Sequence, residues 1–309
     1  MKLVDEVLSE PEFRERPPVL VDIGAAGGVP PGWKSIARHS VVLAFEPDAR
    51  EAAILTEAQQ RFREWIYVPA IVAPTLPPGG TVELFLTRSP QCSSTLQPDT
   101  DALKVWAFAG LFDVVEKRDL QAVTLLDALR RHHLPGIDYL KCDTQGTDLR
   151  LFRSLPEPMR YRVLVAEFEP GLIDAYHGED RLPELMTAMR AEPFWLAEFR
   201  VQRTQLALHG RNASQWYRRV APTAPAWGNL CYLRALDAAP DLLDRRAYLL
   251  LWVFATLQDQ PAFAHNVAMS AAARFGGPLF TRMTRASLRQ LHRMMLMRIP
   301  RWILDRFLR

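Results

Sequence analysis

The chain has 309 residues, of which 49% are hydrophobic and 24% charged, and a formal charge of +3. This is the composition of a globular protein with room for one large domain and an appendage. Eight arginines and a single aspartate between Pro278 and Arg309 give that stretch a charge of +7, which leaves −4 for the rest of the chain.

Cys92, Cys142 and Cys231 are far apart and form no C-x-x-C pair, which excludes a zinc ribbon or a disulfide framework and points to a reducing cytoplasm. The N-terminus, MKLVDEVLSEPEF, carries acids where a secretory leader would carry a basic and then an apolar region. The longest uncharged apolar run near the end, Ala247 to Gln258, is too short to span a bilayer.

Residues 1–18 read as a short amphipathic helix over Met1 to Arg16, closed by Pro17 and Pro18. Val19 to Gly28, VLVDIGAAGG, follows with apolar residues, an acid and a run of small residues, as expected of a buried parallel strand that ends in a tight turn. Gly24 and Gly28 let a ligand approach the backbone, Gly27 adopts positive φ at no steric cost, and Asp22 sits at the carboxyl end of the strand. The dinucleotide pattern G-x-G-x-x-G fails at Ala26 and Val29, and no Gly-Lys-Ser/Thr of a phosphate-binding loop follows. What remains is D-x-G-x-x-x-G, with Glu46 in VVLAFEPD 24 residues beyond Asp22. An acid at the end of a second strand accepts hydrogen bonds from both hydroxyls of a ribose. The pattern suits the adenosine of S-adenosylmethionine.

After the glycine turn, VPPGW delays the next helix to about Trp33, and the second strand is Val41 to Phe45. Asp48 and Glu51 open a helix from about Ala49 to Phe62. A third strand near Trp65 to Ala70 brings Ala70 and Ile71 towards the adenine, or only into the core. Val82 to Thr87 alternates as an extra strand and is followed by QCSSTL, whose Ser93, Ser94 and Thr95 form either a solvated turn or part of a substrate loop. Thr124 and Asp127 cap a helix that ends near His133.

Ile137 to Leu149, IDYLKCDTQGTDL, is a second buried strand, ending at Asp143, with a turn at Gln145 and Gly146 and a helix beyond. Asp143 therefore shares an edge with Asp22 and Glu46, and Lys141, two residues back, shares its face. Asp148 reads as the first-turn acid of that helix. The strand Val163 to Phe168 leads into EFEPG, where Glu167 and Glu169 are expected to point to opposite faces, one towards the acceptor and the other buried against a donor or exposed, with Glu169 at the strand's end as the site candidate. His177 is a candidate base on a loop. A helix over Leu182 to Ala191 precedes paired strands Phe194 to Val201 and Asn229 to Arg234, joined by an irregular loop bearing Trp216, Tyr217, Trp227 and an unused sequon at Asn212.

VDIGAAGG, AFEPD, QCSSTL, YLKCDTQGTDL and VAEFEP resemble, in order and spacing, the FkbM family of S-adenosylmethionine-dependent methyltransferases over roughly Val19 to Leu236. That family more often has Asn at the position of Ala26. The resemblance implies a Rossmann-like class I methyltransferase fold at residues 19–237, a mostly parallel seven-stranded sheet with helices on both faces and an antiparallel last strand. It implies S-adenosyl-L-methionine as cofactor, held by Asp22, Gly24, Ala25, Gly28, Glu46, Pro47, Ala70 and Asp143. Ser93, Ser94 and Gln145 would then face the acceptor, a hydroxyl on a sugar, glycan or secondary metabolite. Asp143, His177 and Glu169 are the candidate bases, and Lys141 would hold Asp143 ionised. A magnesium-assisted variant would place the metal on Asp143 and Glu169, but no compact ligand cluster is present and no metal is expected.

From Ala238 the chain turns helical: Asp241 to Leu257, Pro261 to Phe275, and a basic stretch from Met283 interrupted by Pro300. Leu288, Leu291, Met295 and Ile299 recur at helical spacing opposite Arg285, Arg289 and Arg293, with Trp302, Phe307 and Leu308 beyond. This basic helical extension, residues 238–309, suits a cap or a second subunit in a homo-oligomer, or an anionic membrane surface. Nucleic acid is not expected, since no recognised binding motif accompanies the charge. The protein is expected in the cytoplasm, with the inner membrane surface as the alternative address. A second class stays open throughout: a catalytically degenerate module that acts in interactions through its basic tail.

Overall fold

The computed structural model describes residues 2–25, 28–50, 60–208 and 220–307, with side chains up to residue 297. The chain forms two compact units, Pro18–Ala235 and a second built from Met1–Pro17 together with Leu236–Arg309.

The first unit is α/β. Its strands are β1 Val19–Ile23, β2 Val41–Phe45, β3 Glu64–Val68, β4 Ile71–Val72, β5 Thr81–Thr87, β6 Val114–Val123, β7 Tyr139–Cys142, β8 Val165–Phe168, β9 Phe194–Thr204 and β10 Ala224–Arg234. Seven of them form one sheet in the order β3-β2-β1-β7-β8-β10-β9, parallel except for β10, which runs against both its neighbours. The sheet is flanked by helices, an arrangement compatible with a Rossmann-like fold. All five residues of β1 and of β2 are buried, as expected of parallel strands covered on both faces.

Alternation divides these strands. Val19, Val21 and Ile23, with Leu140, Cys142, Ala166 and Phe168, join one apolar core with Leu125 and Leu129, Leu151 and Phe152, and Leu185 and Met189. Those pairs come from α1 Leu125–Arg131, α2 Asp148–Ser154 and α3 Leu182–Met189. The opposite face carries Asp22, Lys141 and Glu167. That face is also apolar further down, with Leu20, Val42, Ala44, Tyr139 and Val165 buried, and turns polar towards its carboxyl rim.

Several boundaries differ from expectation for physical reasons. The N-terminal segment is two short helices, Lys2–Val7 and Pro11–Glu15, because Pro11 opens a new first turn after the Ser9 bend. The helix at Trp33 is one turn, Pro31–Lys34, followed by a tighter turn at Ala37–His39. Thr124 does cap α1, its Oγ1 accepting the Asp127 N–H at 3.1 Å, but the helix stops at Arg131 before His133 turns left-handed at φ +55°. The strand β6 has no alternating apolar signal, since its residues are mostly exposed. It was not expected from the sequence; it pairs antiparallel with β5, the expected Val82–Thr87 strand, and with β4 they make a separate three-stranded sheet. Most of the helix expected from Ala49 to Phe62, the turn residues Ala26 and Gly27, and the loop carrying Asn212, Trp216 and Tyr217 lie outside the described residues.

The second unit is helical, so the N-terminal helices belong with the C-terminal ones rather than forming a separate element. Its long members are α4 Arg245–Leu257, α5 Pro261–Phe275 and α6 Pro278–Phe307. The first starts at Arg245 rather than Asp241, because Asp244 accepts the Ala247 N–H at 2.8 Å and sets the cap. Trp252 on α4 donates to Ser287 on α6 at 2.9 Å within the core of this unit. Arg245 pairs with Glu10 at 2.7 Å and with Glu12, Arg16 pairs with Asp244 at 2.9 Å, and Arg246 donates to the Arg16 and Pro17 carbonyls. The last helix runs through Pro300 instead of breaking there, at the cost of one intrahelical donor. No described helix is long and apolar enough to cross a membrane.

Candidate functional site

The sheet sets two polar rows on one face. Register places Asp22 of β1 beside Lys141 of β7, and Lys141 beside Glu167 of β8. Two residues further along each strand, the row repeats at the carboxyl rim as Gly24, Asp143 and Glu169, so Glu167 and Glu169 share a face instead of pointing to opposite ones, because strand facing repeats every two residues. Lys141 links the rows, its Nζ lying 2.9 Å from Asp22 Oδ1 and 3.7 Å from Asp143 Oδ2.

Asp22 is 2% exposed, so its carboxylate serves Lys141 from below the rim. Burial raises its pKa to about 6 even though the ammonium of Lys141 pulls the other way. For Lys141 burial favours the neutral amine, but the carboxylates of Asp22 and Asp143 outweigh it and hold the cation well above its ordinary range. At neutral pH the pair is ionic.

Gly24 serves a backbone purpose as well as a ligand's. Its φ is +83°, and a Cβ there would stand 1.9 Å from the Asp143 carbonyl oxygen. The chain thus passes directly over the end of β7, where the Asp143 N–H donates to Ile23 at 2.9 Å and Gly24 and Ala25 both donate to the Phe45 carbonyl at 3.0 Å. Gly28, at φ +85°, has open space where a side chain would project.

Glu46 follows β2 and is buried, its Oε1 accepting the Asp48 N–H at 2.8 Å. Tyr67 donates to the Glu46 carbonyl at 2.8 Å. Asp48 in turn grips the Arg50 guanidinium, which also donates to the Thr87 carbonyl at 2.9 Å. Pro47 is half-buried and Ala70 is 5% exposed just past β3, where the adenine reading put it.

Asp143 is aimed by its neighbours. Gln145, held left-handed at φ +56°, donates from Nε2 to Asp143 Oδ1 at 2.9 Å. Tyr176 shares its hydroxyl proton between the Cys92 carbonyl at 2.8 Å and Gln145 Oε1 at 3.2 Å. Ser94, which is buried, donates to the Gln145 carbonyl at 2.7 Å and accepts the Leu96 N–H at 3.0 Å. Ser93 accepts from the Thr87 N–H and from Arg50, each at 3.2 Å. Ser94 therefore ties the loop to the Gln145 turn, Ser93 ties it to Thr87 and Arg50, and Gln145 is engaged with Asp143 itself.

Glu169 stands beside Asp143. Burial, then the negative charge of Asp143 and a hydrogen bond between the two side chains, raise its pKa to about 8, so the pair holds a proton on Glu169 at neutral pH. Asp148 does more than neutralise a helix end: it accepts from the Thr144 N–H and hydroxyl at 2.9 and 2.6 Å and from the Glu169 N–H at 2.8 Å. It thereby fastens the turn after β7 to the end of β8, and burial raises its pKa to about 6 despite those bonds.

His177 is not in this group. Its imidazole is 61% exposed and faces Asp99, with Nδ1 3.5 Å from Oδ2. Among the described residues no cluster of three or more His, Cys, Asp or Glu could hold a metal ion.

No protein-family model, curated protein or solved structure matches this chain.

The sequence therefore led to Asp22, Gly24, Glu46, Asp143 and Glu169, and the sheet brings all of them to one side of one rim or just beneath it. Sequence reasoning missed Tyr176 and the bridging role of Asp148. The adjacent Gly146 and the Asp-Thr-Gln-Gly turn were the local signal for Asp148, since a turn that tight leaves backbone donors to be satisfied. Nothing local signals Tyr176.

Proposed function

We propose that the Pro18–Ala235 unit is an S-adenosylmethionine-dependent methyltransferase that methylates a hydroxyl of a sugar, glycan or secondary-metabolite acceptor. The observation that carries this reading is the position of the polar rim. Strands β2 and β3 extend the sheet to one side of β1, and β7 and β8 extend it to the other, so the strand order reverses between β1 and β7. Open α/β sheets bind their ligands beyond the carboxyl ends at such a reversal. Gly24, Asp143 and the Asp22–Lys141 pair lie at that point, and Glu46 closes the neighbouring strand. Seven strands with only the last in chain order reversed is also the pattern expected of the class I methyltransferase sheet, and four of the five stretches that resemble the FkbM family fall at the ends of β1, β2, β7 and β8, while QCSSTL follows β5 of the smaller sheet.

The residues present suit the cofactor. Glu46 is a buried acceptor at the end of β2 where ribose hydroxyls would bond, Ala70 offers an apolar neighbour for the adenine, and the open space over Gly28 admits the donor's tail. Once bound, S-adenosylmethionine supplies a methyl group already activated by its sulfonium. The chain's part is to align an acceptor oxygen, exclude water and receive a proton. Asp143, aimed by Gln145 and flanked by Lys141, is the proton acceptor, and the neutral Glu169 donates a hydrogen bond that steadies its carboxylate. A carboxylate placed this way contributes typically ~10² to 10⁴-fold.

Calorimetry with S-adenosylmethionine tests the first half. Binding is expected, and Glu46→Ala should weaken it by roughly ten- to a hundredfold, the loss of charge-assisted hydrogen bonds. Asp143→Asn should keep most of the affinity while removing turnover, read as transfer of labelled methyl groups into a fractionated cell extract. No heat from a folded protein would leave the interaction module as the better account.

A further inference from the structure

On the helix α6, Leu279, Phe280, Met283 and Ser287 are buried. They define one face at the helical step of about 100° per residue. The packed stripe is therefore offset from the expected Leu288, Leu291, Met295 line, and Met295 is exposed. The opposite face carries Arg285, Arg289 and Arg293, four residues apart and all exposed. Leu296 falls on that same face and is 68% exposed, flanked by Met295 and Met297, each more than half exposed. From Pro278 to Leu304 the sequence contains no acid. Arg282 is paired with Glu6 at 2.5 Å, while Arg285, Arg289 and Arg293 have no carboxylate partner among the described residues.

Such a surface is unfavourable in water on two counts. Like charges at i, i+4 repel, and three adjoining apolar side chains keep contact with solvent that a cap or fold would normally remove. One environment relieves both: phosphate headgroups accept the guanidinium protons, and the acyl boundary just beneath receives the apolar groups. A nucleic acid would answer the arginines but leave Met295, Leu296 and Met297 in water.

We propose that this face of α6 docks on an anionic phospholipid surface, with Arg285, Arg289 and Arg293 at the headgroups and Leu296, which shares their face, at the acyl boundary, the flexible Met295 and Met297 bordering the contact on either side. The attachment is peripheral, in keeping with the absence of any described helix able to cross a bilayer. It is independent of the methyl-transfer reading.

Co-sedimentation of the full chain with phosphatidylcholine vesicles, with or without phosphatidylglycerol, tests it at low and high salt. Pelleting is expected only with phosphatidylglycerol and should fall as salt screens the contact. Arg285→Gln, Arg289→Gln and Arg293→Gln combined should lower partitioning on the order of 100-fold. Leu296→Gln with Met297→Gln should lower it without changing its salt dependence. Circular dichroism confirms that each variant is folded, and the lipid and salt comparisons with the wild-type chain decide the matter even where a variant is not. No pelleting at low salt, equal pelleting on neutral vesicles, indifference to the arginine substitutions, or binding to single-stranded nucleic acid in place of vesicles would each overturn the proposal.

Discussion

The contact between Gly24 and the end of β7 gives a sharp test of how the rim is built. In Gly24→Ala the new methyl would lie 1.9 Å from the Asp143 carbonyl oxygen, whereas real Cβ atoms stay beyond about 3.0 Å of such neighbours. The two chains must separate by about 1.1 Å, the difference between those distances. That opening strains the Asp143 N–H to Ile23 bond, now 2.9 Å, and the paired bonds from Gly24 and Ala25 to Phe45. A non-glycine residue at positive φ costs roughly 1–2 kcal/mol, and each strained buried bond adds about 1 kcal/mol, so the total is on the order of 4 kcal/mol. Gly28→Ala is the control: its φ is nearly the same, +85°, but the space around it is open. It should cost only the conformational ~1–2 kcal/mol. Urea unfolding of both variants, followed by near-ultraviolet circular dichroism, measures the difference directly. If Gly24→Ala is no more destabilising than Gly28→Ala, the rim does not depend on that close approach, and the glycine is there for another reason.

Two further substitutions probe the charges. Lys141→Met leaves Asp22 buried with no cation, a loss of about 3–5 kcal/mol; adding Asp22→Asn should recover most of it, and a second substitution that recovers nothing would show that the pair is not the coupling. Glu169 is protonated more readily in the fold, at about 8, than in an unfolded chain, where its ordinary value is 4.5. Its contribution is therefore full below about pH 4.5 and is lost as pH rises through 8. Asp22 and Asp148 act in the same sense but finish near 6. Urea midpoints should thus show the gap between Glu169→Gln and the wild-type chain shifting in favour of the variant as pH rises from about 4.5 to about 8, by a few kcal/mol at most; a gap constant with pH would contradict a proton held on Glu169.

What the sequence disclosed and what it hid divide along a physical line. A parallel strand repeats its facing every two residues, so Lys141 and Asp143 had to share a side, and their meeting with Asp22 and Glu46 followed once the strands were taken as parallel. The glycine of D-x-G was legible as a place where a ligand meets the backbone, but its close approach to the Asp143 carbonyl, a contact with another strand, was not. The strand β6 escaped because an exposed ribbon needs no apolar period. The continuation of α6 through Pro300 escaped because one lost donor is affordable where the rest of a long helix holds.

Long-range polar partners are the harder class. Tyr176 reaches Gln145 across 31 positions of sequence, and Asp148 reaches the Glu169 amide across 21. Neither partner follows from periodicity, although the tight turn before Asp148 signals that backbone donors need an acceptor there. Both nonetheless bear on the same question, which carboxylate at the rim keeps its charge. Asp148 anchors the backbone of Glu169, and Tyr176, through Gln145, fixes one oxygen of Asp143, so the two side chains are held together and Glu169 keeps its proton. A rim that crowds acids this way is costly to build, and nothing in the stability of the sheet requires it. The catalytic role proposed for Asp143 would have that requirement, one oxygen at a defined place, and the bond from Gln145 Nε2 supplies it.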